Sequence, residues 1–164
     1  KFWECVAAWN EWKAEHNVVF HRTEITVWND PEEGLGYAGT FDLMMEVDGK
    51  LYLVDIKTSR GLYSSTWMQL SALYSAKHLL ELGPDGKDQM IEDWQLPIEG
   101  VAVLHVRPSD TTWDGRPMAP FCKWVELPTE KDKTFLDSVA LFFRGFMSLR
   151  TYAEAAREWK GLLK

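Results

Sequence analysis

Asp48-Gly49 lies between two largely apolar runs, 37–47 (YAGTFDLMMEV) and 50–58 (KLYLVDIKT). Asp-Gly readily takes the two positive-φ positions of a type I′ turn, and that turn matches the twist of two antiparallel strands. The dipeptide therefore predicts a tight hairpin and, more usefully, its register. Asp42 lies six residues before Asp48, and Asp55 six after Gly49. A two-residue turn sets them opposite one another on neighbouring strands. Residues 18–29 are β-branched and aromatic and predict a strand before this hairpin, joined to it by the turn-forming stretch 29–36. Together they make an antiparallel meander.

Helices are expected on either side. Phe2, Val6, Trp9 and Trp12 recur at helical spacing in 1–16. Ser64 and Ser65 precede a helical run that extends through Leu82 and ends at Gly83-Pro84. A polar loop over 84–98 leads to a compact, buried-looking strand at 100–107, then a loop, then an edge strand at 120–127. Thr129 with Asp132 reads as a helix cap, and the rest of the chain as a helix broken near Gly145. The order α-β-β-β-α-β-β-α describes an α/β fold of the α+β kind, a mixed sheet flanked by helices. The length, 164 residues, suits one domain spanning 1–164. The chain starts at Lys1, so its N-terminus is expected to be incomplete.

Composition narrows the function classes. No apolar stretch approaches the ~18 residues of a membrane span, no signal peptide is visible, and a cytoplasmic setting is expected. Cys5 and Cys122 form no CxxC pair and no four-ligand metal spacing, so two plain thiols in a reducing compartment are expected. The net charge of −7 argues against extended coating of nucleic acid, which needs Lys and Arg. It is compatible with a carboxylate-rich cation site and with basic residues confined to one groove. The nine tryptophans suggest several at half-buried or contact positions.

The chemistry centres on Val54-Asp55-Ile56-Lys57. Side chains alternate along a strand, so Asp55 and Lys57 share a face and Ile56 points to the other. Two opposed carboxylates destabilise a sheet unless something offsets them, and a divalent cation would. Asp42, Asp55 and the Ile56 carbonyl are the candidate metal ligands, with Glu24 on the first strand as a third carboxylate. Lys57 can hold a water or neutralise phosphate charge. The reaction this suits is phosphodiester hydrolysis with Mg²⁺ or Mn²⁺. Gly39 permits a close approach of backbone or ligand. Gln69, on the helix that follows, can reach a metal-bound water or a phosphate.

The run Gly39-Thr40-Phe41-Asp42, then Leu53-Val54-Asp55-Ile56-Lys57-Thr58, then Gln69-Leu70 and Tyr74, resembles the PD-(D/E)XK nuclease superfamily. Within it, the RecB-like and phage-type exonucleases are the most similar branch, over roughly residues 18–109. The resemblance implies a restriction-endonuclease-like core of order α-β-β-β-α-β. It implies metal binding by Asp42, Asp55, Ile56 and Glu24, and catalytic roles for Asp42, Asp55, Lys57, Glu24 and Gln69. It also implies substrate contacts from Gln69, Tyr74, Thr58 and Ser59. DNA would be the substrate, degraded by an exonuclease of recombination, repair or replication. A helicase or recombination protein, or further copies of the chain, would be partners, and the host cytoplasm the setting if the gene belongs to a phage. Iron–sulfur members carry four cysteines; with two, no cluster is expected here. The family's Tyr usually falls four residues after the Gln. Tyr74 falls five after Gln69, about 100° further round a helix.

Plainer readings stand beside these. Asp55-x-Lys57 alone is a surface ion pair. Tyr74, one turn from Leu70 and His78, reads as a core aromatic, and His105 as a satisfied core histidine. Arg60, Lys77 and Arg107 either line a DNA groove or are solvated. Trp3, Trp9 and Trp12 stack bases or pack a core. A catalytically silent member that binds DNA ends or proteins is the alternative to an enzyme.

Overall fold

The hairpin at Asp48-Gly49 forms as its dipeptide requires: φ is 52° at Asp48 and 86° at Gly49. The computed structural model describes residues 1–33, 36–83, 88–91, 94–95 and 97–162. Its elements run α1 (Phe2–Ala14), β1 (Val18–Asn29), a 3₁₀ turn (Pro31–Glu33), β2 (Tyr37–Val47), β3 (Lys50–Lys57), α2 (Ser64–Tyr74), β4 (His78–Leu82) and β5 (Asp88–Ile91). They continue with β6 (Gly100–Arg107), β7 (Asp110–Thr111), β8 (Pro117–Met118), β9 (Phe121–Glu126) and α3 (Phe135–Leu162). Seven strands form one mixed sheet in the order β5-β4-β1-β2-β3-β6-β9, and β7 pairs with β8 separately. The β3–β6 pair is parallel, and the other pairs of the sheet are antiparallel.

The sheet is covered on both faces. Toward α2 and α3 it presents Ile25, Val27, Phe41, Leu53, Val101 and Val103, packed with Trp67, Leu70, Leu73 and Val139. Toward α1 it presents Met45, Val47, Tyr52, Val54, Leu104 and Val106, packed with Trp12. Coverage on both faces is why β6 is buried along its whole length and why its sequence is a continuous apolar run. Cys5 and Cys122 are free thiols at the edge of the α1-side core. Burial, with Cys5 nearby, pushes the Cys122 thiol up to about 12.

The meander, β6 and the edge position of β9 follow the sequence reading. Four other expectations are corrected. The second helix does not run to Leu82: it stops at Tyr74, and 78–82 becomes β4. Apolar residues there fit either period, and pairing with β1 (Val27 with Leu79, Trp28 with His78) decides for the strand. Asn29 Oδ1 fixes the entry by accepting the Lys77 N–H at 2.8 Å. Ser64 lies inside α2, whose N-cap is Tyr63 with no side-chain cap. The loop expected over 84–98 contains β5, which pairs with β4. The last helix begins after Thr134, not Thr129. Thr134 Oγ1 accepts the Asp137 N–H at 3.2 Å, and Asp137 Oδ2 accepts the Thr134 N–H at 2.8 Å, a reciprocal capping box. Thr129 instead donates to the Leu127 carbonyl. Thr134→Ala is therefore expected to lower stability by about 1 kcal/mol, with Thr129→Ala near neutral, as read from urea denaturation midpoints.

α3 also continues through Gly145. A Cβ there would stand 2.9 Å from Met68 Cε of α2, so the glycine serves close helix packing rather than a break. Gly39 likewise meets α2: a Cβ at that position would collide with the Leu73 side chain. The close approach expected at Gly39 is thus to a helix of the fold.

Candidate active site

Alternation along β3 decides the geometry. Leu53 belongs to the α2 face and Val54 to the α1 face, so Asp55 and Lys57 return to the α2 face. Their side chains meet: Lys57 Nζ lies 2.5 Å from Asp55 Oδ2. Ile56 points the other way, into an apolar cleft of about 290 Å³ with Trp9, Phe20, Leu43, Leu104 and Val106.

The ladder between β2 and β3 runs from Val47–Lys50 to Leu43–Val54, so the next step of that register brings Asp42 level with Asp55. The Asp42 carboxylate reaches across, and its Oδ2 accepts the Ile56 N–H at 2.6 Å. A charge-assisted bond of that length fixes the carboxylate and leaves its second oxygen uncommitted. Asp55 itself is 4% exposed. Burial holds its carboxyl above the ordinary range; Lys57 opposes the rise and the Asp42 charge adds to it.

The site sits at the C-terminal end of the one parallel pair. Lys57 is in register with His105 on β6. Buried His105 donates its Nε2–H to the Ser59 carbonyl at 2.7 Å, which holds down the chain just past Lys57. A carbonyl oxygen only accepts, so that nitrogen carries the proton. Ser59 Oγ donates to the Gly61 carbonyl at 2.8 Å, and Thr58 and Ser59 are exposed beside the reactive end. One strand position on, buried Arg107 pairs with Asp110 at 2.5 Å, and Arg60 approaches the same carboxylate oxygen at 3.9 Å. The role of Asp110 as the anchor of this end was not read from sequence; an acidic residue just past an apolar strand ending in Arg is the signal that was available.

Other candidate residues lie apart. Glu24 is level with Asp42 across β1–β2, between the pairs Thr23–Leu43 and Ile25–Phe41. Its φ of 53° puts it in the left-handed region and breaks the strand's alternation. It is exposed and lines a surface cleft with Arg22, Leu80 and Glu81. Among the described residues, no group of three or more His, Cys, Asp or Glu is placed to hold a metal ion. Gln69 is exposed on α2, with no hydrogen bond to Asp42, Asp55 or Lys57. Tyr74 is not a surface contact for substrate. Its ring packs edge-on against Trp94 and Phe135 within the core, and burial raises its phenol above the usual range. The extra residue between Gln69 and Tyr74 turns the tyrosine onto the buried side of α2. Lys77 lies just before β4, three strands from β3, and Arg107 is buried, so of the expected basic groove Arg60 alone is at this end and exposed. Trp12 is buried and Trp3 exposed.

The two carboxylates suit a Mg²⁺-like ion better than a full protein cage. Such ions take one or two carboxylates and complete their shell with water and substrate phosphate. The buried Asp55 carboxylate, paired with Lys57, and the Asp42 oxygen that does not accept the Ile56 N–H are donors of that kind. The chain matches no known protein-family model and no curated protein sequence.

Proposed function

We propose that this chain is a metal-dependent nuclease that hydrolyses DNA phosphodiester bonds at Asp42, Asp55 and Lys57, probing DNA from its ends as an exonuclease. The observation that carries this reading is the buried Asp55 carboxylate held beside Asp42. Folding alone disfavours that pairing: one carboxylate is desolvated and a second is brought level with it. Groups so perturbed concentrate at functional sites.

Asp42 and Asp55 would hold the ion, Mg²⁺ or Mn²⁺, with the Ile56 carbonyl as a further oxygen donor. Bound there, it would polarise a phosphoryl oxygen and acidify a water. The residues of the chain do the rest. The Ile56 N–H keeps the Asp42 carboxylate in one orientation. Lys57 neutralises Asp55 when no other cation is present. With a cation held by Asp42 and Asp55, the Lys57 ammonium would be free to face the substrate, to orient the attacking water or to stabilise phosphate charge. The His105–Ser59 bond holds Thr58 and Ser59 at the rim, where they would meet the DNA backbone. Gln69, exposed on the neighbouring helix, would contribute only after substrate draws it in, and Glu24 would need its surface rotamer redirected.

The test compares end-labelled linear DNA with circular DNA, each with Mg²⁺ or Mn²⁺ and with chelator. Metal-dependent loss of the linear form alone is expected, abolished by Asp42→Ala. Equal degradation by Asp42→Ala would reject the site. Metal-independent DNA binding with no cleavage would favour the silent DNA-end-binding module.

A further inference from the structure

We infer that the β7–β8 hairpin is a substrate-gripping element, and that Trp113 at its tip stacks on an unpaired nucleobase of the strand being cut. The inference rests on the nuclease reading for the identity of its ligand, and on the hairpin itself for everything else.

Trp113 is 97% exposed, more than any other large apolar residue described. A Trp in that position contributes almost no burial to the fold, although its full burial would be worth a few kcal/mol. Such a residue on a mobile loop would mean little. Here the turn that presents it is braced on both sides of Trp113. Thr112 N–H donates to the Arg116 carbonyl at 2.8 Å, and Gly115 N–H to the Thr112 carbonyl at 2.9 Å. Thr112 Oγ1 accepts the Arg116 N–H at 3.0 Å and also meets the Asp114 carboxylate. Arg116 Nε donates to Asp114 Oδ2 at 2.6 Å. Gly115, with φ of 80°, supplies the left-handed position that lets the turn close.

The base of the hairpin is fixed as firmly. Ser109 donates through both its N–H and its Oγ to Glu4 Oε2 of α1, each at 2.7 Å. Asp110 is tied to Arg107 of β6 and approached by Arg60, three residues past Lys57. Thus one carboxylate joins the hairpin to the segment leaving the reactive strand. Trp113 is three residues from Asp110, a reach of roughly 10 Å. The two exposed guanidinium groups tied to the hairpin each face one of its carboxylates: Arg60, 79% exposed, faces Asp110, and Arg116, 80% exposed, faces Asp114.

An exposed flat aromatic face on a rigid support, tied to the segment that leaves the reactive strand, matches a nucleobase, whose own flat face stacks on it. It matches a base pair poorly, because a paired base shows its edges in the grooves and hides its face in the stack. The ligand is therefore an unpaired base, in a single strand or at a frayed end. The −7 net charge agrees: affinity would come from local stacking rather than from a wide basic surface.

The test places 2-aminopurine at successive positions of a single-stranded oligonucleotide and in a blunt duplex, with chelator present so that nothing is cut. The parent is expected to quench the probe in the single strand near its end. Trp113→Ala should remove the quenching and weaken single-strand binding about tenfold or more, with Trp113→Phe recovering most of it. Duplex binding should change little, and the melting temperature should not move, because the ring packs against nothing. In the cleavage assay with metal, KM on single-stranded or overhanging DNA should rise in Trp113→Ala while kcat holds. If Trp113→Ala binds and cleaves like the parent while Asp42→Ala is inactive, the hairpin inference is overturned and the nuclease reading stands. If the parent shows Trp113-dependent quenching but no metal-dependent cleavage, the stacking site stands and the nuclease reading falls. Capture of a protein through Trp113, with no DNA effect, overturns the inference.

Discussion

Replacing Asp55 by Asn is expected to reduce metal-dependent DNA cleavage by a factor on the order of 10³ or more, while the protein stays folded. The magnitude follows from the charge that the site would lose. Lewis-acid stabilisation by a bound ion is worth several kcal/mol of transition-state energy, and each 1.4 kcal/mol is tenfold in rate. An amide keeps the shape of the side chain but removes the anion that would hold the cation. The same substitution should raise the melting temperature in chelator at neutral pH. Asp55 is buried and its carboxyl titrates above the ordinary range because burial disfavours the ionised form. A raised pKa in the fold means that the carboxyl favours the folded state at low pH, below the unfolded value near 4. That contribution is lost as pH rises through the folded value, where the charge must be carried in the interior. The advantage of Asn over Asp should therefore be largest above that range and shrink as pH falls toward 4. Lys57 offsets part of the effect, since the amide leaves the ammonium without its counter-charge. A variant that is inactive and no less stable marks a residue kept for chemistry. Unchanged activity in Asp55→Asn, measured by release of labelled nucleotides, would remove the centre from the mechanism.

Phe41→Ala is expected to cost about 3–5 kcal/mol of folding stability. Phe41 is completely buried, with its ring edge-on to Trp94, in the core between the sheet and α2. Truncation removes a whole aromatic ring from a region that Leu53, Leu70 and Leu73 already fill, and such packing collapses only partly into the void. The consequence for the site is direct. Phe41 is the residue before Asp42, and the β2–β3 ladder ends at Leu43. The Asp42 carboxylate is held by one backbone bond, that to Ile56. A loosened strand end should weaken metal affinity as well as stability, so cleavage should recover partially at high Mn²⁺. Denaturant unfolding gives the first quantity and metal titration of activity the second. A loss below about 1 kcal/mol would contradict the packing described for Phe41.

Among the described residues, no helix is long and apolar enough to cross a bilayer. The position of the site has a simpler logic. β3 is the hinge between the antiparallel half of the sheet and the parallel pair with β6. Its C-terminal end faces outward beside the start of α2, where the chain must leave the sheet. Ligand sites favour such strand ends because side chains there are held rigidly yet lie open to solvent.

The core of the site was legible in local sequence. Asp48-Gly49 dictates a two-residue turn through backbone sterics, and from that turn the level positions of Asp42 and Asp55 follow by counting. Strand alternation alone puts Asp55 and Lys57 together and Ile56 on the far face. The meander and the fully buried β6 rest on equally short-range rules. Where two local solutions were nearly equal, tertiary contacts chose. Residues 78–82 fit a helix or a strand, and the open edge of β1 made them β4. Thr129 and Thr134 both begin a Thr-x-x-Asp pattern, and docking of α3 on α2 selected the second. Glu24 occupies the expected strand position, but a left-handed backbone angle sends it toward β4, which no pattern of residue types could indicate. Tyr74 was given to the core by the neighbours that α2 meets. The buried state of Asp55 and the braced hairpin that exposes Trp113 depend on packing between segments far apart in the chain. Periodicity and turn chemistry act over a few residues and so are written in the sequence directly; burial, and the electrostatics that burial creates, exist only once the layers have closed.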